Sequence, residues 1–283
     1  MSVAVACDEP TVHPAHRAPM VRSGLVVAAA TGLASVLNYA SNVVLGHRLD
    51  MAAFGDASLI VSAVLVLGAL TSGLQLAVAG RADGVERRAV DAGLVVGVLT
   101  VLGSVPLAKV FHMASPLPFA VLGLGVPVAV QLAVARGRAQ AAGRFGSIAA
   151  SFVTEAVARC AVSVLGVAAG FGATSAALAL GCSFVAGWLP IRTAPMTPDT
   201  GTPSQGGQAF RMLMTVAVAQ VVIGNGDLWI VKLARPADAG VYAAVALVGR
   251  LVVVASTSVV TVTFPALVAG NVGSAQRAPL ARR

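Results

Sequence analysis

Asn225-Gly226-Asp227-Leu228-Trp229-Ile230-Val231-Lys232, then Ala237-Asp238-Ala239-Gly240-Val241-Tyr242-Ala243-Ala244 and, at the end of the stretch, Arg250, is the part of this chain whose reading decides the fold. An apolar run ends in polar residues, a short charged loop and a glycine follow, and a second apolar run begins. Sliding the chain on itself by 185 positions lays Asn42 on Asp227, His47 on Lys232 and Gly55 on Gly240. The earlier copy has the same order of apolar run, polar end, loop, glycine and apolar run. Two such pairs predict an internal repeat of membrane helices, an organisation more common in transporters than in enzymes.

The rest of the chain agrees with a bilayer as solvent. Of its 283 residues 57% are hydrophobic and only 11% charged, and the mean hydropathy is +0.88. The charges fall in short clusters between long apolar runs. Eight segments approach the length needed to cross about 30 Å of hydrocarbon at about 1.5 Å per residue. They lie near 23–46, 57–80, 90–112, 117–135, 147–170, 173–194, 209–234 and 241–269. Pro106 and Pro265 are expected kinks, and Pro127 lies in the fourth and shortest segment. Gly93/Gly97 and Gly166/Gly170 have the GxxxG spacing of closely packed helices.

The expected fold is therefore all-α integral membrane, with about eight transmembrane helices. A polar tail (1–22) precedes a six-helix first lobe (23–194), and a Pro/Gly/Thr/Ser linker (195–208) follows it. The first two helices of a second, parallel repeat (209–270) and a basic tail (271–283) complete the chain. With the N-terminus inside, thirteen arginines fall in cytoplasmic segments, among them Arg81, Arg87, Arg88, Arg136, Arg138 and Arg144. Four basic residues, Arg48, Lys109, Lys232 and Arg235, fall outside. That bias predicts both termini in the cytoplasm.

The formal charge of +8 is spread over these loops rather than gathered on a soluble domain, so nucleic-acid binding is not expected. Cys7, Cys160 and Cys182 lack CxxC spacing, and the latter two read as small core residues. There is no metal-spaced His pair, nucleophile elbow or Walker A sequence. Neither an enzyme nor a cofactor is expected.

The 225–244 stretch resembles the seventh and eighth helices of bacterial polysaccharide flippases, members of the multidrug/oligosaccharidyl-lipid/polysaccharide exporter superfamily. Asn38-Tyr39 through Leu45-Gly46-His47-Arg48 and Phe54-Gly55 is similar to that family's first helix and turn. Arg136-Gly137-Arg138-Ala139-Gln140 with Arg144-Phe145 resembles its basic loop before the fifth helix, and Gly166 through Gly172 that helix's glycine-rich end. The resemblance implies an inner-membrane transporter that moves polyprenyl-pyrophosphate-linked oligosaccharide by alternating access. It also implies about twelve to fourteen spans in two lobes. On that pattern the chain reads as truncated, or as one part of an assembly with a second copy or another short chain.

Charged residues inside spans are the candidate functional groups, because each costs about 2.5–3.5 kcal/mol at mid-bilayer on insertion scales. Arg159 and Arg250 are candidate cavity residues for a lipid-linked pyrophosphate glycan, since a guanidinium pairs two oxygens at once. Asn42 and Asn38 are candidates for holding sugar hydroxyls, or for joining helices. Asp227 and Glu155 are candidate ion-coupling carboxylates. Each has a structural alternative: Glu155 stands four residues before Arg159 and pairs with it on one helix face, while Asp227 has Lys232 or Arg250 as partners. The rival readings are an organic-cation or multidrug exporter of the same superfamily, and a non-transporting membrane subunit of a glycan-assembly complex.

Overall fold

The computed structural model describes the backbone of residues 14–80, 85–192 and 207–249, and the side chains of 24–80, 85–192, 215, 219 and 222–249. The linker 195–206, the tails before residue 14 and after residue 270, Pro265 and Arg250 lie outside the described residues. The described part is all-helical, with no strand. In order the helices are α1 (Pro14–Arg48), α2 (Met51–Ala79), α3 (Val85–Leu102), α4 (Ser104–Val110), α5 (Leu117–Ala141), α6 (Phe145–Ala168), α7 (Thr174–Arg192), α8 (Gly207–Ala234) and α9 (Ala239–Gly249).

Five of these, α1, α2, α5, α6 and α7, are long and apolar enough to cross a membrane, and the α3–α4 pair makes a sixth when read as one bent span. α8 has comparable length, 28 residues, and carries Asn225, Asp227 and Lys232 in its second half. The chain is thus an α-helical, multi-pass membrane protein in architecture. α1 begins at Pro14 rather than near residue 23, so part of the expected polar tail is helical. Proline is tolerated there because the first turn has no use for its missing N–H.

The third expected span is bent by 64° where α3 gives way to α4. Pro106 cannot donate to the carbonyl four residues back, so the ladder breaks at Gly103 instead of bending gently. Pro127, by contrast, sits inside an unbroken α5. The cap of α2 is conventional: the Ala53 N–H donates to the Asp50 carboxylate at 2.8 Å.

Packing does not follow chain order. α1 lies chiefly against α6 and only lightly touches α2, its neighbour in sequence. α6 packs on α7, α7 on α5, and α5 on both α2 and α3. α8 packs on α2. Ile60, Leu132, Ile148, Leu180 and Phe184 form the main core, and fully buried serines, among them Ser62, Ser151, Ser175 and Ser183, lie between the helices. Small side chains let the backbones approach, and the hydroxyls bond to nearby groups (Ser151 to the Gly187 carbonyl, 2.5 Å).

Glycine decides two of the crossings. At α3–α5 a Cβ on Gly97 would stand 2.7 Å from the Gly123 carbonyl and 2.9 Å from Pro127, and one on Gly93 would meet Val130 at 2.8 Å. The Gly93/Gly97 pair therefore is a packing face. Gly166 meets α7 at Ser175, but Gly170 lies past the end of α6 with φ +81° and forms the turn instead. Cys182 also departs from expectation, facing outward rather than into the core. We expect Gly97→Val to destabilise the protein by about 1–3 kcal/mol through overpacking against α5. Gly68→Val, where a side chain meets nothing within 4 Å, serves as the neutral control. Thermal unfolding in detergent compares the two, and equal midpoints would contradict this crossing.

The second crossing sets α9 against α2. A Cβ on Gly55 would stand 3.0 Å from the Gly240 nitrogen, and one on Gly240 would overlap the Met51 carbonyl, reaching its carbon at 2.7 Å. Gly55 and Gly240 are the same position in the two copies. Leu45, Phe54, Ala57, Leu228 and Ala243 pack as one cluster around this point.

Candidate functional site

Among the described residues two largely buried charged clusters occupy the interior. The first is built on α6, where Ser151, Glu155 and Arg159 follow one another at intervals of four and so share one face. Glu155 uses both oxygens. Oε1 accepts from Arg159 Nη2 at 2.5 Å, and Oε2 accepts from Arg136 Nη2 on α5 at 2.7 Å. Arg136 also donates from Nε and Nη2 to Ser151 Oγ, at 2.9 and 2.8 Å, and its guanidinium lies 4.1 Å from the centre of the Phe152 ring. The ring face supplies electron density that water would otherwise supply.

Arg159 points toward α1 and α7. Nη1 donates to Asn38 Oδ1 at 3.1 Å and Nη2 to Ser183 Oγ at 3.4 Å. Its Nε–H is buried and takes no hydrogen-bond acceptor among the described residues. On α1 the Ser41 hydroxyl, one turn beyond Asn38, is likewise buried with no partner among the described residues. Two guanidiniums on one carboxylate leave a formal surplus of one positive charge. Arg159 lies fourteen residues into α6, roughly 21 Å along it, so the surplus stands well inside the span.

The second cluster ties α8 to α2. Lys232 Nζ donates to Asp56 Oδ1 at 2.5 Å, with side chains only 3% and 9% exposed. The Ala114 N–H approaches the other Asp56 oxygen at 3.4 Å, and Trp229 Nε1 donates to Ser62 Oγ at 2.8 Å. Close to the α8–α9 turn, Tyr242 donates its hydroxyl to Asp227 Oδ2 at 2.6 Å.

The structure thus brings Asn38, Glu155 and Arg159 together, while among the described residues Asn42 and Asp227 bond neither Glu155 nor Arg159. Asn42 donates its amide back to the Asn38 carbonyl at 3.0 Å, a bond within α1. Asp227 bonds Tyr242 and its own following N–H, not Lys232, which Asp56 holds. Lys232 is therefore a buried partner rather than an outer-loop charge. Arg136 and Arg138 need a similar correction, since both belong to the last turns of α5 and not to a basic loop. Arg138 pairs with Glu86 on α3, while Arg136 is buried.

Arg136 and the Asp56–Lys232 pair escaped the sequence reading. The four-residue spacing Ser151–Glu155–Arg159 marks a polar face that needs a partner, a legible signal. Nothing local says that Arg136 supplies it. Among the described residues no group of three metal-ligating side chains occurs.

No protein-family model matches the chain, and no curated protein and no solved structure is found similar to it.

Proposed function

We propose that the chain is a bacterial inner-membrane transport protein of the flippase kind, moving polyprenyl-pyrophosphate-linked oligosaccharide from the inner to the outer leaflet by alternating access. The observation that carries this reading is the Arg136–Glu155–Arg159 cluster, with its surplus positive charge and the unused Arg159 N–H inside a membrane span. A pyrophosphate needs such donors, and hydrocarbon offers none. Asn38 beside Arg159 adds an amide suited to sugar hydroxyls. The contact of Gly55 with Gly240 supports a two-lobe design, with the rocking of one lobe on the other as the motion. On this reading both termini are cytoplasmic.

The organic-cation exporter is less favoured, because Glu155 already serves two arginines and has no oxygen free of them to hold a cation. The exposure of Ile223 and Ile230 on α8 favours the remaining rival, a non-transporting subunit. The two are separated in the host cell. Deleting the gene should strand lipid-linked glycan in the inner leaflet, and the wild-type gene should restore export. Arg250→Ala and Asn38→Ala should each lower export at least tenfold at unchanged membrane abundance. Full export by both variants would sink the cavity reading and leave the subunit reading standing.

A further inference from the structure

Ahead of its last turn, α1 is held to the bundle by very little. Between Gly24 and Val44 only Ala30, Ala34 and Ser41 are buried, and none of them is larger than serine. They share a face with Asn38, whose side chain meets Arg159 on α6. α6 is the helix that α1 lies against, and α2 touches α1 only lightly. Leu25, Val26, Leu33 and Val36, on the other sides of α1, are exposed. A seam of two alanines and a serine buries little apolar area and so has little cohesion.

The polar groups of this seam are poorly matched. Among the described residues a single hydrogen bond crosses it, from Arg159 Nη1 to Asn38 Oδ1. The Arg159 Nε–H and the Ser41 hydroxyl are both buried without a partner among the described residues. Each has lost its hydration and gained no bond, a penalty that falls on the closed seam and not on an open one.

The last turn of α1 is anchored quite differently. Leu45 packs in one cluster with Phe54 and Ala57 of α2, Ala176 of α7, Leu228 of α8 and Ala243 of α9, and Leu49 joins it. Gly46 lets the Phe54 ring approach, since a Cβ there would stand 3.4 Å from it. Asp50, directly after the turn, caps α2. We propose that α1 pivots on this anchored end and swings its Ala30–Ser41 face off α6, uncovering the Arg159 guanidinium. Asn38 then leaves Nη1, and the Nε–H becomes reachable. Glu155 holds Nη2 throughout, because it stands on α6 itself, and Arg136 and Ser183 belong to α5 and α7. The cluster therefore stays assembled while its α1 wall opens. That the group admitted is a pyrophosphate rests on the function proposed above, whereas the swing does not.

The test is a pair of distances measured between spin labels by electron resonance, on the full chain in lipid nanodiscs. The labels go on cysteines placed at exposed positions, with Cys7, Cys160 and Cys182 replaced by serine. Leu33 with Val157 reports the swinging part, and His47 with Leu165 the pivot. The Leu33–Val157 pair should show two distance populations, and the His47–Leu165 pair one. Ser41→Ala removes a hydroxyl that the closed seam leaves unbonded, so it should lower the share of the longer distance about threefold or more. Asn38→Ala removes the bond that crosses the seam and should raise that share by a similar factor. Inorganic pyrophosphate should raise it too, and should have no effect on Arg159→Gln. One short Leu33–Val157 distance in every variant, or equal spread in the two pairs, would overturn the proposal. A swing that answers to both α1 substitutions but not to pyrophosphate would uphold the pivot and count against the pyrophosphate reading alone.

Discussion

Glu155→Ala is expected to destabilise this protein more than any other single substitution in the first lobe. The carboxylate is the shared counter-ion of Arg136 and Arg159, so its loss strands two guanidiniums at once. Each unpaired arginine deep in a span costs about 2.5–3.5 kcal/mol on insertion scales, so the variant should lose roughly 5 kcal/mol or more. Ser151, Asn38, Ser183 and the Phe152 ring remain as neutral partners and soften that figure. Glu155→Gln keeps an acceptor but not the charge and should fall between the two. Membrane abundance together with thermal unfolding in detergent reads the series. A Glu155→Ala protein of native stability would mean that water already solvates both arginines.

Replacing Asp56 alone should cost about 3–5 kcal/mol, because it leaves the Lys232 ammonium buried without a counter-ion. Lys232→Met should cost a similar amount by leaving the carboxylate. The double variant Asp56→Leu/Lys232→Met should recover most of the loss, since a buried pair replaced by apolar groups is often neutral. Unfolding midpoints of the four proteins give the coupling directly. Losses that simply add would show that the two side chains do not pair. Because Asp56 belongs to α2 and Lys232 to α8, the same cycle measures how tightly α8 is held to α2.

Much of the fold was legible residue by residue. Hydropathy is a local property, and it marked the six expected crossings of the first lobe as helices or, at Pro106, as a bent pair. Gly93 and Gly97 announced a close crossing because their spacing puts them on one face. Glu155 and Arg159 were paired by their i,i+4 separation alone. Arg136 was misread as a loop charge for the opposite reason. Its neighbours Arg138 and Arg144 make the segment look like a solvated basic turn, and only α6 laid against α5 turns Ser151, Glu155 and Phe152 toward it.

The sequence by itself determined that the chain lives in a bilayer, that its helices fall in this order, and that residues near Asn42 and Asp227 repeat one pattern. These follow from side-chain transfer energies and helical period, which each segment carries with it. Which charges neutralise which was decided only by the tertiary structure. Asp56 and Lys232 are separated by 176 residues, Asn38 and Arg159 by 121, and no local spacing joins them. A buried charge takes as partner whatever the neighbouring helix presents at the same depth. That is set by which helices pack together, and here α1 packs on α6 rather than on the helix that follows it.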